Sequence, residues 1–339
     1  MNILITGGLG FIGSHTAVAL AEAGYKPIII DNLNNSDIKV LDRIAEIIAF
    51  KPVFYQGDCL DKTLMQRIFN EQKIDGVIHF AAYKAVGESV QLPLKYYQNN
   101  VQSLCILLEI MQEKGVNNLV FSSSCTVYGQ PASLPVDENA PSLPANSPYG
   151  NTKQICEEIL RDFSAVNPFK TIALRYFNPI GAHQSSLIGE LPLGVPNNLV
   201  PFITQTMVKI REKLLVFGDD YPTSDGTCIR DYIHVCDLAE AHVAALSYLQ
   251  KHENISLFDT FNIGTGKGNS VLEIIKILEE IANQKIDYQV VERRSGDITA
   301  VYAATEKASK ILNWNAKRTL KQALTDAYNW QIAPSPKGE

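Results

Sequence analysis

Short apolar runs alternate with longer helical patterns through the first 180 residues of the 339-residue chain. The runs are rich in β-branched residues, and this alternation is typical of successive strand-helix-strand units. Strands connected in this way lie parallel and are covered by helices on both faces. We therefore predict an α/β fold built on a doubly wound parallel sheet. The predicted strands are Asn2–Thr6, Pro27–Asp31, Val53–Gln56, Gly76–Phe80, Leu119–Ser124 and Thr171–Arg175, and the predicted helices are Phe11–Ala23, Leu41–Ala49, Lys62–Glu71, Pro93–Lys114 and Tyr149–Ala165.

Three glycines, Gly7, Gly10 and Gly13, connect the first predicted strand to the first predicted helix. Glycine permits a tight turn and a close backbone approach, and a helix N-terminus offers free N–H groups to phosphate oxygens. A lone glycine motif is weak evidence, because such turns also occur as plain connections. Its position after the first strand predicts a pyrophosphate site of the Rossmann type.

Asp31 ends the second strand, eighteen residues beyond Gly13. At this spacing an acidic residue accepts hydrogen bonds from the adenosine ribose and repels a 2′-phosphate, which favours NAD over NADP. Asp31 could instead cap the turn that follows it. Gly57-Asp58 and Phe80-Ala81-Ala82 follow the third and fourth strands, at the sheet edge where open α/β sheets bind ligands.

Tyr149 and Lys153 lie four residues apart at the start of a predicted helix, so their side chains share one helix face. Ser124 ends the fifth strand at the same sheet edge. Oxidation of a sugar hydroxyl needs a base for its proton, and we expect Tyr149 to be that base. An adjacent Lys153 ammonium and a positive nicotinamide ring should lower the pKa of Tyr149 from about 10. Ser124 would orient the same substrate oxygen and relay the proton.

Composition argues against other classes of protein. Thirty basic and thirty-six acidic residues, without a basic block, do not suit a nucleic-acid binder. The six cysteines form no C-x-x-C pair or ligand set, which predicts reduced thiols and no metal. No leader pattern or long apolar run is present, so we expect a cytoplasmic protein without a membrane anchor.

Beyond Asn178 the pattern changes to loops rich in Pro and Gly and then to short mixed elements. We expect a smaller C-terminal substrate-binding lobe there. Val235–Leu249 reads as a helix that returns to the first domain. The expected division is an NAD-binding domain of residues 1–177 with 233–250 returning to it, a lobe of residues 178–232 and 251–333, and a tail of residues 334–339.

Eight segments together resemble the UDP-glucose 4-epimerases, members of the extended short-chain dehydrogenase/reductase family. They are TGGLGFIGSH, HFAAYKAVGESV, SSSCTVYG, SPYGNTK, LRYFNPIGAH, GVPNNL, FGDDYPTSDGTCIRDYIHV and RRSGD, and they span the chain from the first strand to the last helices. The resemblance implies reversible interconversion of UDP-glucose and UDP-galactose through a 4-ketose, a tightly bound NAD, and a homodimer that packs helices of the first domain.

The resemblance also assigns roles to matching positions. It makes Tyr149 the base, assisted by Lys153 and Ser124. It adds Phe11, Ile12, Asn32, Asn35, Ser36, Cys59, Lys84, Asn99 and Phe177 to the NAD shell formed by Gly7, Gly10, Gly13, Asp31, Asp58, Phe80, Ala81, Ala82, Ser124, Tyr149 and Lys153. The expected UDP-sugar site consists of Asn178, Asn198, Leu199, Phe217, Arg230, Arg294, Asp297 and Val301. The two arginines would bind the diphosphate, although the asparagines could serve loop backbone and Arg230 could pair with Asp231.

Val301 is the informative departure, because some family members carry a tyrosine there that lines the sugar pocket. A smaller valine leaves room beside C2, so UDP-N-acetylglucosamine and UDP-N-acetylgalactosamine are possible further substrates. Ordinary packing of Val301, with Tyr302 closing the pocket, is the alternative.

Several other activities compete with this reading. A 4,6-dehydratase would place Asp-Glu directly after Ser124, where this chain has Cys125-Thr126. An epimerase of another UDP-sugar, such as UDP-glucuronate, differs chiefly in pocket residues and stays open. A dinucleotide-sensing regulator need not keep the three catalytic residue types, and a net dehydrogenase would consume free NAD in stoichiometric amounts.

Overall fold

Residues 1–252, 255–294 and 297–333 are described by a computed structural model. The strands are β1 (Asn2–Thr6), β2 (Lys26–Asp31), β3 (Val53–Gln56), β4 (Gly76–His79), β5 (Asn118–Ser124), β6 (Lys170–Tyr176), β7 (Asn178–Ile180), β8 (Leu214–Phe217), β9 (Ile229–His234), β10 (Leu257–Ile263), β11 (Gly268–Ser270), β12 (Tyr288–Val291) and β13 (Ala300–Val301). The helices are α1 (Phe11–Glu22), α2 (Lys39–Ile48), α3 (Lys62–Glu71), α4 (Val86–Gln91), α5 (Pro93–Tyr96), α6 (Gln102–Lys114), α7 (Pro148–Val166), α8 (Leu199–Met207), α9 (Val235–Lys251), α10 (Val271–Ala282), α11 (Glu306–Leu312) and α12 (Leu320–Ile332).

Seven parallel strands form the central sheet, in the order β10-β6-β5-β4-β1-β2-β3. The chain moves outward from β1 in both directions, so the strand order reverses between β1 and β4. That reversal opens a crevice at the carboxyl ends of the two strands, where such sheets bind ligands. Apolar clusters cover both faces of the sheet. The predicted doubly wound fold is confirmed.

The predicted helix Pro93–Lys114 is interrupted in the structure. It consists of α5, a π-helical turn at Tyr97–Val101, and α6, which ends at Lys114 and is capped by Gly115 with a left-handed φ of 65°. Helix α4, before it, was not predicted. Single π turns inside helices often mark functional sites, and this one carries Asn99.

Helix α9 packs on α1 and on the strands β5 and β6, as expected for a segment that returns to the first domain. The expected lobe boundary at residue 251 is wrong for Leu257–Ile263, because β10 extends the central sheet beside β6. The division into two domains is otherwise a prediction. A second sheet (β11-β9-β13, with β7 beside β9) and the pair β8-β12 lie in the expected lobe. The predicted tail, residues 334–339, lies outside the described residues.

Within the described ranges, no helix combines the length and apolar character needed to cross a membrane.

Candidate active site

The glycine loop packs too tightly to admit side chains. A Cβ on Gly13 would lie 2.3 Å from the Gly7 carbonyl oxygen, and Gly7 has a φ of +67°. Helix α1 begins directly after Gly10, which provides no side-chain cap, so the first N–H groups of the helix have no side-chain acceptor from its N-cap. The loop therefore offers backbone N–H groups and a positive helix end in a space that fits a pyrophosphate.

Asp31 is 7% exposed and holds this loop in place through hydrogen bonds. Its Oδ2 accepts a hydrogen bond from Leu9 N at 3.0 Å. Its Oδ1 accepts from Leu33 N at 2.9 Å and from Ser36 Oγ at 2.7 Å. Asp31 does cap the following turn, as the alternative interpretation held. Since each carboxylate oxygen can accept two hydrogen bonds, Oδ2 retains capacity for a ribose hydroxyl.

The other expected NAD-shell residues surround the same crevice. Asp58 accepts from Asn32 Nδ2 at 2.8 Å, which joins the ends of β2 and β3. Phe80 N donates to Thr6 O, and Ala81 N donates to Thr6 Oγ1 at 3.2 Å. Cys59 is buried, and burial raises the pKa of its thiol to about 12. Phe11, Ile12 and Ala82 are half-buried, and Asn35 is exposed on the loop after β2.

A glutamate that the sequence interpretation missed connects the cofactor and substrate shells. Glu190 Oε1 accepts from Asn198 Nδ2 at 2.6 Å and lies 3.6 Å from Lys84 Nζ. Only its place in the loop before GVPNNL could have indicated it. Asn99 Nδ2 donates to Asn100 Oδ1, which also accepts from Tyr83 N. Asn198 is therefore held by the Glu190 side chain, and Asn99 is held by the Asn100 side chain.

Ser124, Tyr149 and Lys153 come together where β5 meets α7. Ser147 caps α7 by accepting from Gly150 N, which fixes the start of the helix. Lys153 Nζ donates to the Ser122 carbonyl at 2.6 Å, and the Ser124 hydroxyl lies close enough to Tyr149 to influence the pKa of its phenol. The predicted arrangement of the three residue types at one sheet edge is therefore present.

Burial changes the proton affinities of this group. Desolvation raises the pKa of Tyr149 to about 12, and the hydrogen bond with Ser124 opposes that rise. Desolvation lowers the pKa of Lys153 to about 8. The expectation that Lys153 lowers the pKa of Tyr149 is wrong for the protein alone, because burial dominates and the ammonium binds the Ser122 carbonyl.

The expected diphosphate residues gather around one carboxylate. Asp297 Oδ1 lies 2.9 Å from Arg294 Nη2 and 3.8 Å from Arg230 Nη2. The Arg294 guanidinium also lies 5.5 Å from the ring centre of Phe217. Arg230 does not pair with Asp231, whose carboxylate is buried and accepts from Thr265, Gly266 and Ala303. Asp297 thus holds two arginine side chains beside each other.

Val301 is 3% exposed and packs with Val127, Tyr128 and Phe177, next to Cys125. It lies opposite Arg230 in the β13-β9 register. Tyr302 points the other way, because its ring approaches Gly268. Asn178 begins β7, and Leu199 begins α8. These placements leave the substrate roles as predictions. The residues that the structure describes contain no metal-binding cluster of His, Cys, Asp and Glu.

Comparisons with known proteins match the whole chain. A family model described as GDP-mannose 4,6 dehydratase matches residues 4–327. The UDP-glucose 4-epimerase of Haemophilus influenzae is 50% identical, with 100% of this chain and 99% of that protein covered. The chain belongs to the UDP-glucose 4-epimerases, in the extended short-chain dehydrogenase/reductase family. In this chain Cys125-Thr126 follows Ser124, at the position where Asp-Glu is expected in a 4,6-dehydratase.

Solved epimerase structures have the same fold. The UDP-glucose 4-epimerase of Bifidobacterium longum, in complex with NAD+ and UDP, superimposes with a TM-score of 0.95 at 45% identity, and 100% of each chain is covered. That of Stenotrophomonas maltophila, with bound NAD and formylated UDP-arabinopyranose, gives a TM-score of 0.94 at 46% identity over 98% of each chain. Both were crystallised with NAD and with UDP or a UDP-linked sugar.

Proposed function

We propose that this chain reversibly epimerises UDP-glucose and UDP-galactose at C4, with NAD as its resident cofactor. The observation that carries the proposal is the placement of Ser124, Tyr149 and Lys153 at the sheet edge that also holds the glycine loop. The family and the ligands in its crystal structures support this choice, and they do not favour another UDP-sugar such as UDP-glucuronate.

NAD, when bound, supplies reversible hydride acceptance at the sugar carbon. The glycine loop and the N-terminus of α1 would bind its pyrophosphate, and Asp31 its ribose. Tyr149 would take the proton of the C4 hydroxyl and return it, while Ser124 orients that oxygen. A phenol with a pKa near 12 keeps its own proton at neutral pH and cannot accept the proton of the C4 hydroxyl. Tyr149 would therefore act as the base only once positive charge lies beside it and lowers its pKa.

Arg230 and Arg294 would bind the diphosphate, with Phe217 beside the nucleotide. Asp297 keeps both cations in place before substrate arrives, which reduces the ordering that binding requires. A sugar held only through its nucleotide can present either face of C4, as the release and return of one hydride to opposite faces requires.

The homodimer and the cytoplasmic location are also proposals. Val86, Val90, Leu92 and Leu94, on and beside α4 and α5 of the first domain, are 47–70% exposed. Such a patch suits contact with a second copy of the chain, which sedimentation of wild type and a Leu94→Lys variant would test. Six free thiols suit the reducing cytoplasm.

Incubation of the purified protein with UDP-galactose tests the proposed activity. Product is identified by chromatography and NMR, with and without added NAD, and Tyr149→Phe is the control. UDP-glucose formed without net NADH supports the epimerase. Stoichiometric NADH indicates a dehydrogenase, a 4-keto-6-deoxy product indicates a dehydratase, and turnover of UDP-glucuronate alone indicates the other epimerase.

A further inference from the structure

Three successive turns of α7 contact three successive residues at the end of β5. The Tyr149 phenol neighbours the Ser124 hydroxyl, and Lys153 Nζ donates to the Ser122 carbonyl. One turn further along, Glu157 Oε1 accepts from Ser123 Oγ at 2.5 Å. The first two contacts belong to the proposed catalytic group, and the third lies beneath it.

The Glu157 carboxylate is itself firmly held. Its side chain is 4% exposed and makes a two-point ion pair with Arg175 of β6, at 2.6 Å and 3.0 Å. Arg175 Nη1 also donates to Tyr128 OH at 3.0 Å, and Tyr128 donates to Asn262 Oδ1 of β10. Glu157 is therefore anchored to the central sheet through Arg175.

Ser123 and Glu157 do not touch the proposed substrate or cofactor residues, but each is covalently tied to one that does. Ser123 immediately precedes Ser124, and Glu157 lies one helical turn after Lys153. A shift of α7 along β5 would move Tyr149 relative to Ser124 by the same amount. The Ser123–Glu157 bond resists that shift because Glu157 is locked to Arg175.

We propose that Ser123 and Glu157 are positioning residues that fix α7 against β5 and thereby keep Tyr149 in hydrogen-bond reach of Ser124. The inference deepens the proposed function, because it concerns the same base. Breaking a buried ion pair is strongly destabilising, so Glu157 variants are poor probes. Ser123→Ala removes the contact and leaves the Arg175–Glu157 pair intact.

The test compares NAD-loaded wild type, Ser123→Ala and Ser123→Cys. Cysteine nearly fills the serine volume but is a weak donor, so it keeps the packing if alanine weakens folding. Ser164→Ala is the matched control, because Ser164 is a buried α7 serine with a 3.4 Å contact to Thr171 at the far end of the helix. Thermal unfolding shows that each variant is folded.

Two readouts separate positioning from simple stability. In Ser123→Ala, kcat for UDP-galactose should fall at least about tenfold while KM changes less than about twofold, with Ser123→Cys between alanine and wild type. The phenol of Tyr149, assigned by difference from Tyr149→Phe in ultraviolet titration, should titrate at higher pH, because it moves away from the Ser124 hydroxyl that lowers its pKa. The titration does not depend on activity, so it tests the inference even if wild type fails to turn over UDP-galactose. An unchanged Tyr149 titration in folded Ser123→Ala, or an equal loss in Ser164→Ala, would overturn it.

Discussion

Lys153 Nζ donates a 2.6 Å hydrogen bond to the Ser122 carbonyl, at a site where only 3% of Lys153 is exposed. A carbonyl dipole compensates a buried ammonium only in part. The pKa of Lys153 is accordingly lowered to about 8, and the pKa of the nearby His79 is lowered to about 3 by burial and then by Lys153. The protein alone therefore does not fully stabilise the buried positive charge of Lys153.

The first prediction concerns stability and pH. The ordinary pKa of lysine is 10.5 and that of Lys153 is about 8, so between these values the unfolded chain holds the extra proton and stability rises with pH. The stability gained when Lys153 is unprotonated is complete above pH 10.5, and it is lost as the pH falls through 8. Relative to Lys153→Met, wild type should gain about 2 kcal/mol of unfolding free energy between about pH 7.5 and pH 10. Urea unfolding measures this, and parallel curves for the two proteins would contradict it.

The second prediction concerns the base. Tyr149→Phe removes the phenol beside Ser124, and should lower turnover of UDP-galactose at least about a hundredfold. NAD affinity and the unfolding midpoint should stay close to wild type. Tyr25→Phe is the matched control, since Tyr25 OH binds Gln250 between α1 and α9. Near-normal turnover in Tyr149→Phe would remove Tyr149 from its role.

Much of the first domain follows from sequence because its strands and helices bury long apolar surfaces with clear periodicity. The π turn does not, because no local pattern marks it, and Asn100 within it bonds the backbone of Tyr83, which lies 17 residues earlier. Strand β10 was missed because LFDTFNI is a sheet-edge strand whose first four residues are only half-buried. The glycine loop and the Tyr149 group followed from local motifs. Glu190 and the Ser123–Glu157 contact depend on long-range packing.

The third prediction separates the two tasks of Asp31. The wild type should bind NAD more tightly than NADP, since the carboxylate repels a 2′-phosphate. Asp31→Asn keeps an acceptor for the loop but loses the charge, so it should narrow the preference with little loss of NAD affinity. Asp31→Ala or Asp31→Ser should also narrow it, and alanine should weaken NAD binding because Leu9 N and Leu33 N lose their acceptor. Calorimetric titration measures both affinities, and protein isolated with NADP would contradict the prediction.

The fourth prediction concerns the diphosphate. Arg230→Lys keeps the charge but loses the two-point guanidinium geometry, so the KM for UDP-galactose and the Kd for UDP should each rise about tenfold, the scale of one charged hydrogen bond. Turnover at saturation should change much less. Arg211→Lys is the control, because Arg211 binds Gly194 O and Gln205 elsewhere in the lobe. Equal effects of both substitutions would remove Arg230 from the site.

The last prediction concerns substrate range. Val301 packs against Phe177 and beside Cys125, the residue after Ser124, while Tyr302 turns away toward Gly268. Tyr302 is therefore poorly placed to close the pocket, and valine at position 301 is smaller than the tyrosine of some family members. Wild type should epimerise UDP-N-acetylglucosamine and UDP-N-acetylgalactosamine as well as the plain sugars.

Val301→Tyr should selectively reduce kcat/KM for the acetylated pair, because the larger ring competes with the C2 substituent. A tyrosine in a cluster that is already buried also costs about 1–3 kcal/mol of stability through overpacking, so both substrate pairs are measured well below the unfolding midpoint. Val301→Leu is the control, since leucine adds volume without an aromatic ring and hydroxyl and should reduce the acetylated pair less. If wild type shows no turnover of acetylated sugars, the open pocket is wrong. If tyrosine lowers both pairs equally, the loss reflects disturbed packing around Phe177 rather than selection at C2.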